Sequence, residues 1–280
     1  MLKKLTTYAI AACLATISAQ GLHAQQSTHA TLAAVLCQEQ KMNEALAEIE
    51  LATKDKAEQK DVYTWYVRGY IYKEHYKLSG DEMHRNLAVE SFVKSKAMAG
   101  NDDEVTMNHK AALTYLATTY YNDALREATN LQNVNDTLCD HYLHRYHDVM
   151  TEAGNNNNLD EQDANYYEAK AQRTTDLWLI SKHDEVLYNK CMLWYEKALQ
   201  LKPGDCTLLH NLVVVQYNKL ATHEEQKIWS ADLSEELELA HHRINEAKKN
   251  CADSELLNAI SVVELFYEVL EANKPADNKH

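Results

Sequence analysis

A spacing that recurs four times along the chain limits its possible folds more than any other feature. In each set a small residue is followed four positions later by a large apolar or aromatic residue, and three positions after that by another small residue. The four sets are Ala45/Ile49/Ala52, Ala88/Phe92/Ser95, Cys191/Tyr195/Ala198 and Ala240/Ile244/Ala247. Offsets of four and three place each set on one face of an α-helix. Repetition of such a helix predicts stacked two-helix units rather than one globular core.

Composition also favours helices nearly throughout. The 280 residues include only six Gly and two Pro, and 45% are hydrophobic. So few turn-forming residues argue against all-β and Rossmann-like folds, and the apolar content is sufficient for a folded protein. We therefore expect an all-α protein.

The charge of the chain limits its partners. The formal net charge is −14 at pH 7. Nucleic acid and anionic membrane surfaces are poor partners for such a chain, whereas a protein or peptide remains suitable.

The first residues have the pattern of an export signal. Lys3 and Lys4 precede an apolar stretch over 8–17, and residues 22–24 form a small-residue cleavage site. We expect cleavage after Ala24 and a periplasmic or secreted product. No later stretch reaches the ~18 apolar residues of a membrane helix, which predicts a mature chain without an integral membrane segment.

A lipid anchor is the alternative to soluble export. Residues 10–13 resemble a bacterial lipobox with Cys13 as the modified residue, which would make the chain an acidic lipoprotein at the outer membrane. However, the apolar run before Cys13 is short, and residues 14–17 continue apolar after it. Soluble export is the favoured prediction.

Five cysteines remain after cleavage, without a CxxC pair. Their odd number and wide spacing do not indicate a disulfide framework. Cys191 occupies a packing position of the recurring set and is predicted to be buried. A bond between Cys206 and Cys251 is left open.

Two segments resemble the tetratricopeptide repeat (TPR) family. Trp65-x-x-Arg68-Gly69-x-x-Tyr72 is similar to the first helix of that repeat and precedes the set at 88–95. Residues 195–203 resemble the end of one repeat, and 209–212 the start of the next. The chain departs from the pattern by about seven extra residues between 72 and 88 and by a longer, Glu-rich insertion between 217 and 240. The resemblance implies helical-hairpin repeats stacked as a TPR-like solenoid.

The pattern predicts four segments. Residues 1–24 are the signal peptide, and 25–152 contain the N-terminal TPR-like helical repeats. Residues 153–163 include Gly154 and four consecutive Asn, which predict a polar linker. Residues 164–280 contain the C-terminal TPR-like repeats and a closing helix.

The resemblance also implies a binding groove. The first-helix positions that line the inner face of TPR proteins correspond here to Tyr66, Tyr70, Lys73, His109, His210 and Tyr217. Tyr is unusually common, with 17 residues against 2 Phe, and its ring offers a large contact area at low entropic cost. Packing between helices is the alternative role of each Tyr. Some family members bind a terminal carboxylate through Lys and Asn on this face, but Tyr66 and Tyr70 replace two of those positions, so that activity is not inferred.

A His- and Asp-rich segment at 139–148 is a candidate metal site. On a helix, Asp140, His144 and Asp148 form one stripe, flanked by His141 and His147. The favoured alternative is a solvated helix face, because no HExxH pattern or other ligand pair completes a site.

Sequence patterns of catalysis are missing. The chain contains no nucleophile elbow, P-loop or dinucleotide-binding motif. We expect a non-catalytic protein- or peptide-binding scaffold or adaptor, exported to the bacterial cell envelope and without a cofactor. The alternative function is a periplasmic metal-binding or metal-dependent protein that uses His141, His144 and Asp148.

Overall fold

A computed structural model describes residues 28–100, 103–155, 159–225 and 231–272 of the chain. These residues form eleven α-helices and no β-strand. The helices are α1 (His29–Gln38), α2 (Met42–Ala52), α3 (Val62–Ser79), α4 (Glu82–Ala99), α5 (Asp103–Ala128), α6 (Asp136–Glu152), α7 (Asp160–Ile180), α8 (Glu185–Leu201), α9 (Cys206–Glu225), α10 (Ala231–Asn250) and α11 (Ser254–Ala272). The predicted signal peptide, 1–24, lies outside the described residues, as does Cys13.

Neighbouring helices pack as hairpins, which confirms the all-α prediction. The pairs α1–α2, α3–α4, α7–α8 and α9–α10 contact one another extensively. Pairs also contact their neighbours along the chain: α2 and α1 both touch α3, α8 touches α9, and α9 touches α11. The arrangement is repeat-like, as the recurring sets predicted.

The chain forms two compact units. The first ends at Leu116 and the second begins at Ala117, both within α5. Helix α6 ends at Glu152 and α7 begins at Asp160, so the predicted linker at 153–163 covers their connection and the first turn of α7. The division into repeats at 25–152 and 164–280 around a linker at 153–163 stays a prediction.

The recurring sets occupy the most buried positions of their helices. All twelve residues are at most 2% exposed: Ala45, Ile49, Ala52, Ala88, Phe92, Ser95, Cys191, Tyr195, Ala198, Ala240, Ile244 and Ala247. The small members let neighbouring helices approach closely, while the large member fills the space between them. Burial of Cys191 was predicted and is confirmed.

Gly69 shows how close this approach is. The residue lies in the middle of α3, where Ala would be the better helix former. A β-carbon built at Gly69 would lie 2.9 Å from the ring of Phe92 on α4. Only a residue without a side chain fits between these two helices.

Buried cations link successive hairpins. Arg68 of α3 donates to the carboxylate of Glu50 on α2 at 2.8 Å, and to a serine hydroxyl of α4. Lys219 of α9 similarly lies between α8 and α10, 2.8 Å from both Glu185 and Glu236. Because a buried charge is costly without a partner, these pairs fix which helices are neighbours.

A denser ionic cluster joins α6, α7 and α8. The Asp136 carboxylate contacts Lys170, Arg173 and Lys190, and Lys170 also contacts Asp140 at 3.0 Å. Lys170 and Arg173 are buried. Burial acts to raise the pKa of Asp136, but the hydrogen bonds from Lys190 and Arg173 hold that pKa at about 2.

A disulfide closes the α9–α10 hairpin. Cys206 is the first residue of α9 and Cys251 follows α10, with their Cα atoms 5.2 Å apart. The bond that the sequence left open is therefore present in the structure. Cys37, Cys139 and Cys191 are free and buried.

A search of the described helices finds none that is long and apolar enough to cross a membrane.

Candidate binding surface

Helix α3 presents one stripe of aromatic and basic side chains away from its buried face. The helix begins after Asp61, whose carboxylate accepts a hydrogen bond from the Tyr63 amide, and it ends at Gly80 in the left-handed conformation. Its core face includes Trp65 and Ile71. The opposite stripe follows the offsets i, i+4, i+7 and i+11.

We call this stripe and the ring beside it the α3 surface. It consists of Tyr66, Tyr70, Lys73 and Lys77 of α3 together with Tyr115 of α5. Lys77 and Tyr115 are exposed, and the other three residues are half-buried. All five belong to the first compact unit.

Tyr66 is the anchored end of the α3 surface. Its ring meets His109 at a centroid distance of 5.2 Å and Phe92 at 5.8 Å, both in edge-to-face geometry. His109 is fully buried and offers no area to a partner. Its role in the structure is to hold the Tyr66 ring rather than to line a groove.

Cation–π contacts order the middle of the α3 surface. The Lys73 ammonium lies 4.6 Å from the ring centroid of Tyr70, and the Lys77 ammonium lies 5.0 Å from that of Tyr115. Such contacts are attractive and restrain these long, flexible lysine side chains. The Tyr70 ring also packs on the core between α1 and α2.

Glu74 fixes the two ammonium groups. Its carboxylate is 2.8 Å from Lys77 and 3.1 Å from Lys73. Burial lowers the pKa of Lys73, with Glu74 opposing that change. Although burial acts to raise the pKa of Glu74, the two lysines hold it below its ordinary value. Two cations thus share one carboxylate, which leaves a local positive charge in an acidic chain.

These groups suit the binding of a peptide. The Tyr rings provide flat apolar area, and the phenol hydroxyls and ammonium groups donate hydrogen bonds to carbonyl oxygens. Their mutual contacts limit the entropy lost when a ligand orders them.

The remaining two predicted groove residues belong to the second unit. Tyr217 of α9 is half-buried, and its ring stacks on Phe266 and meets Tyr267 edge-on, both on α11. His210 is half-buried, with its Nδ1 3.4 Å from the side-chain oxygen of Asn211. Tyr217 therefore packs against α11, and its ring is committed to contacts within the fold.

Lys77 and Tyr115 were missed in the sequence prediction. Lys77 extends the stripe of Lys73 by one helical turn, a signal that the sequence contained. Tyr115 lies in the stretch 101–132, whose loose fit to the repeat placed it at a packing position, but the residue is 40% exposed.

The candidate metal residues lie on an exposed face of α6. His144 and Asp148 have 77% and 46% of their side-chain area exposed, with His144 Nε2 and Asp148 Oδ1 3.8 Å apart. His141 is also exposed. His147 instead contacts Asp163 at 2.7 Å. Within the described residues no group of three or more His, Cys, Asp or Glu side chains could hold a metal ion. The metal alternative gains no support and remains a prediction.

Comparison with known proteins finds no matching family model and no similar curated protein.

Proposed function

We propose that the chain is a non-catalytic scaffold or adaptor that binds a protein or peptide on the α3 surface. The observation that carries the proposal is the pre-ordered set of Tyr rings and ammonium groups on one helix stripe. Helical-hairpin arrays commonly serve as extended binding surfaces. The TPR-like identity of the repeats is part of this proposal and rests on the motif at 65–72.

We also propose export to the bacterial cell envelope, in the periplasm or beyond it. The signal pattern at 1–24 supports export, and so does the disulfide between Cys206 and Cys251, because such bonds persist in oxidising compartments. Cell fractionation and N-terminal sequencing test this. A mature chain beginning at Gln25 is expected, whereas a lipid-modified N-terminal Cys13 would establish the anchored alternative.

Site-specific photo-crosslinking in native cells tests the binding surface. A photoreactive phenylalanine analogue replaces Tyr115 in one strain and Met107, another exposed residue of α5, in the control strain. We expect a discrete cross-linked product from position 115 and none from position 107. Cross-links that are absent, or equal from both positions, would contradict the proposal.

The captured partner then allows a quantitative test. Tyr115→Ser with Lys77→Ser removes an exposed ring and an exposed cation without opening a core cavity. We expect this double variant to weaken partner binding by about tenfold or more, since aromatic groups dominate such contacts. The matched control, Met107→Ser with Lys110→Ser, should bind as the wild type does.

A further inference from the structure

Helix α11 has two apolar faces. One face packs on α9 and α10 and includes Ile260, Val263, Tyr267 and Leu270, all buried. On another face four large apolar side chains are between 47% and 58% exposed. These four residues, called the α11 stripe, are Val262, Leu265, Phe266 and Val269.

The α11 stripe has the spacing of a helix-packing face. Its members lie at offsets i, i+3, i+4 and i+7, so they form one continuous ridge over two helical turns. Elsewhere in the described residues exposed large apolar side chains occur singly or in twos on a helix. A contiguous ridge of exposed apolar side chains marks an interaction site.

An acidic row runs beside the stripe. Three glutamates of α11, Glu264, Glu268 and Glu271, lie at offsets i, i+4 and i+7, and the fourth, Glu255, lies two turns before the stripe. Glu264 pairs with Lys248, and Glu271 lies 3.5 Å from His241. Glu268 is exposed, makes no ion pair with any described residue, and stands three positions after Leu265 of the stripe.

This charge pattern selects among possible occupants. A second copy of the chain would place one α11 against another and bring the glutamates of both copies together. Each copy also carries a net charge of −14, so long-range repulsion opposes that pairing. A helix with basic residues at its borders gains attraction instead.

We propose that the α11 stripe binds an amphipathic helix of a partner protein whose apolar face is bordered by Lys or Arg. The partner helix lies along α11, with its apolar side chains between Leu265, Phe266 and Val269 and a basic side chain beside Glu268. The α11 stripe and the α3 surface share no residue, and the two proposals stand independently.

Two synthetic peptides of about 18 residues test the proposal. Both carry Leu at the same i, i+3, i+4, i+7 spacing. One has Lys at the remaining positions and the other has Glu. Binding of each labelled peptide to the mature chain is followed by fluorescence anisotropy at about 50 mM and about 300 mM salt.

We expect the Lys peptide to bind at least about tenfold more tightly than the Glu peptide, with a difference that shrinks at high salt. Leu265→Gln with Val269→Gln should weaken the Lys peptide by a similar factor. Both side chains are exposed, so the helical circular dichroism and melting temperature should stay unchanged. The matched control, Ile180→Gln with Val186→Gln, alters side chains that are 74% and 75% exposed and should bind normally.

Four outcomes would overturn the proposal. The first is no binding of either peptide. The second is equal binding of both peptides, which removes the charge argument. The third is an unchanged affinity of the Lys peptide for the Leu265/Val269 variant, which indicates charge adhesion elsewhere on the acidic chain. The fourth is dimerisation of the wild type in analytical ultracentrifugation that the Leu265/Val269 variant abolishes, because a second copy would then occupy the stripe.

The Tyr115/Lys77 variant should bind the Lys peptide normally, which separates this test from that of the α3 surface.

Discussion

Replacing Gly69 by Ala should destabilise the protein, although the same change stabilises most helices. The new β-carbon would lie 2.9 Å from the nearest atoms of the Phe92 ring, within van der Waals overlap. Phe92 is fully buried and contacts both Tyr66 and His109 edge-on. Any shift of the Phe92 ring away from the new methyl group would therefore disturb these packed neighbours.

Two opposing contributions set the magnitude. Ala is a better helix former than Gly by about 1 kcal/mol in a helix interior. Inserting one carbon into a close-packed core costs about 1–3 kcal/mol. The overlap should exceed the gain in propensity, so we expect Gly69→Ala to lower the free energy of unfolding by about 1 kcal/mol.

A double-mutant cycle with Phe92→Leu isolates the overlap. The shorter leucine side chain lacks the ring atoms that the new methyl group meets, so in that background Gly69→Ala should become neutral or stabilising by up to about 1 kcal/mol. Urea unfolding followed by circular dichroism gives the four free energies, and hydrogen exchange of the α3 and α4 amides localises the effect. An equal effect of Gly69→Ala in both backgrounds would refute the steric explanation.

Three further predictions concern packing, covalent closure and charge. Ala198→Glu should destabilise the fold by about 3–5 kcal/mol in urea titrations, because it places an unpaired carboxylate at a fully buried position. The control, Gln200→Glu on the exposed side of α8, should change stability by less than about 0.5 kcal/mol. Cys206→Ser with Cys251→Ser should lower the unfolding free energy by about 4 kcal/mol in the chain-entropy model for a separation of 45 residues, and a reductant should have that effect on the wild type alone. Asp136→Asn should destabilise by about 2–3 kcal/mol at neutral pH, because it leaves buried Arg173 without its carboxylate and removes one of the two carboxylates that contact Lys170. Since the folded pKa of Asp136, about 2, lies below the unfolded value, the stabilisation is complete above about pH 4 and is lost as the pH falls towards 2, so urea titrations of wild type and variant should converge in acid.

The recurring sets made the core of the hairpins predictable. The need for a small side chain at Ala88 and Ala198 can be read within one helix, because a small residue at helical spacing from a large one marks a close contact between helices. Both residues are fully buried. Gly69 belonged to the TPR-like motif at 65–72 and not to these sets, and the structure supplies its reason in the ring of Phe92.

The binding residues were less predictable because their roles depend on neighbours distant in sequence. His109 and Tyr217 were placed on a groove by their repeat positions. His109 is buried against Tyr66, however, and Tyr217 stacks on Phe266 of α11. The place of Tyr115 in the binding surface was recognised only from its contact with Lys77, which lies on another helix, α3. No pattern within one helix contains this information.

The buried cations bear on how a chain of this kind can change its number of repeats. The apolar sets of different hairpins resemble one another, so they could still pack together if the order of the hairpins were changed. Arg68 would lose its carboxylate partner, because Glu50 lies on the preceding helix. Lys219 would lose Glu185, one of its two carboxylate partners, and keep Glu236. Deleting the hairpin that carries Glu50, or duplicating the one that carries Arg68, would leave an arginine buried without its carboxylate, at a cost of about 3–5 kcal/mol. We therefore expect these ion pairs to act against expansion or loss of individual hairpins and to keep their order along the chain constant.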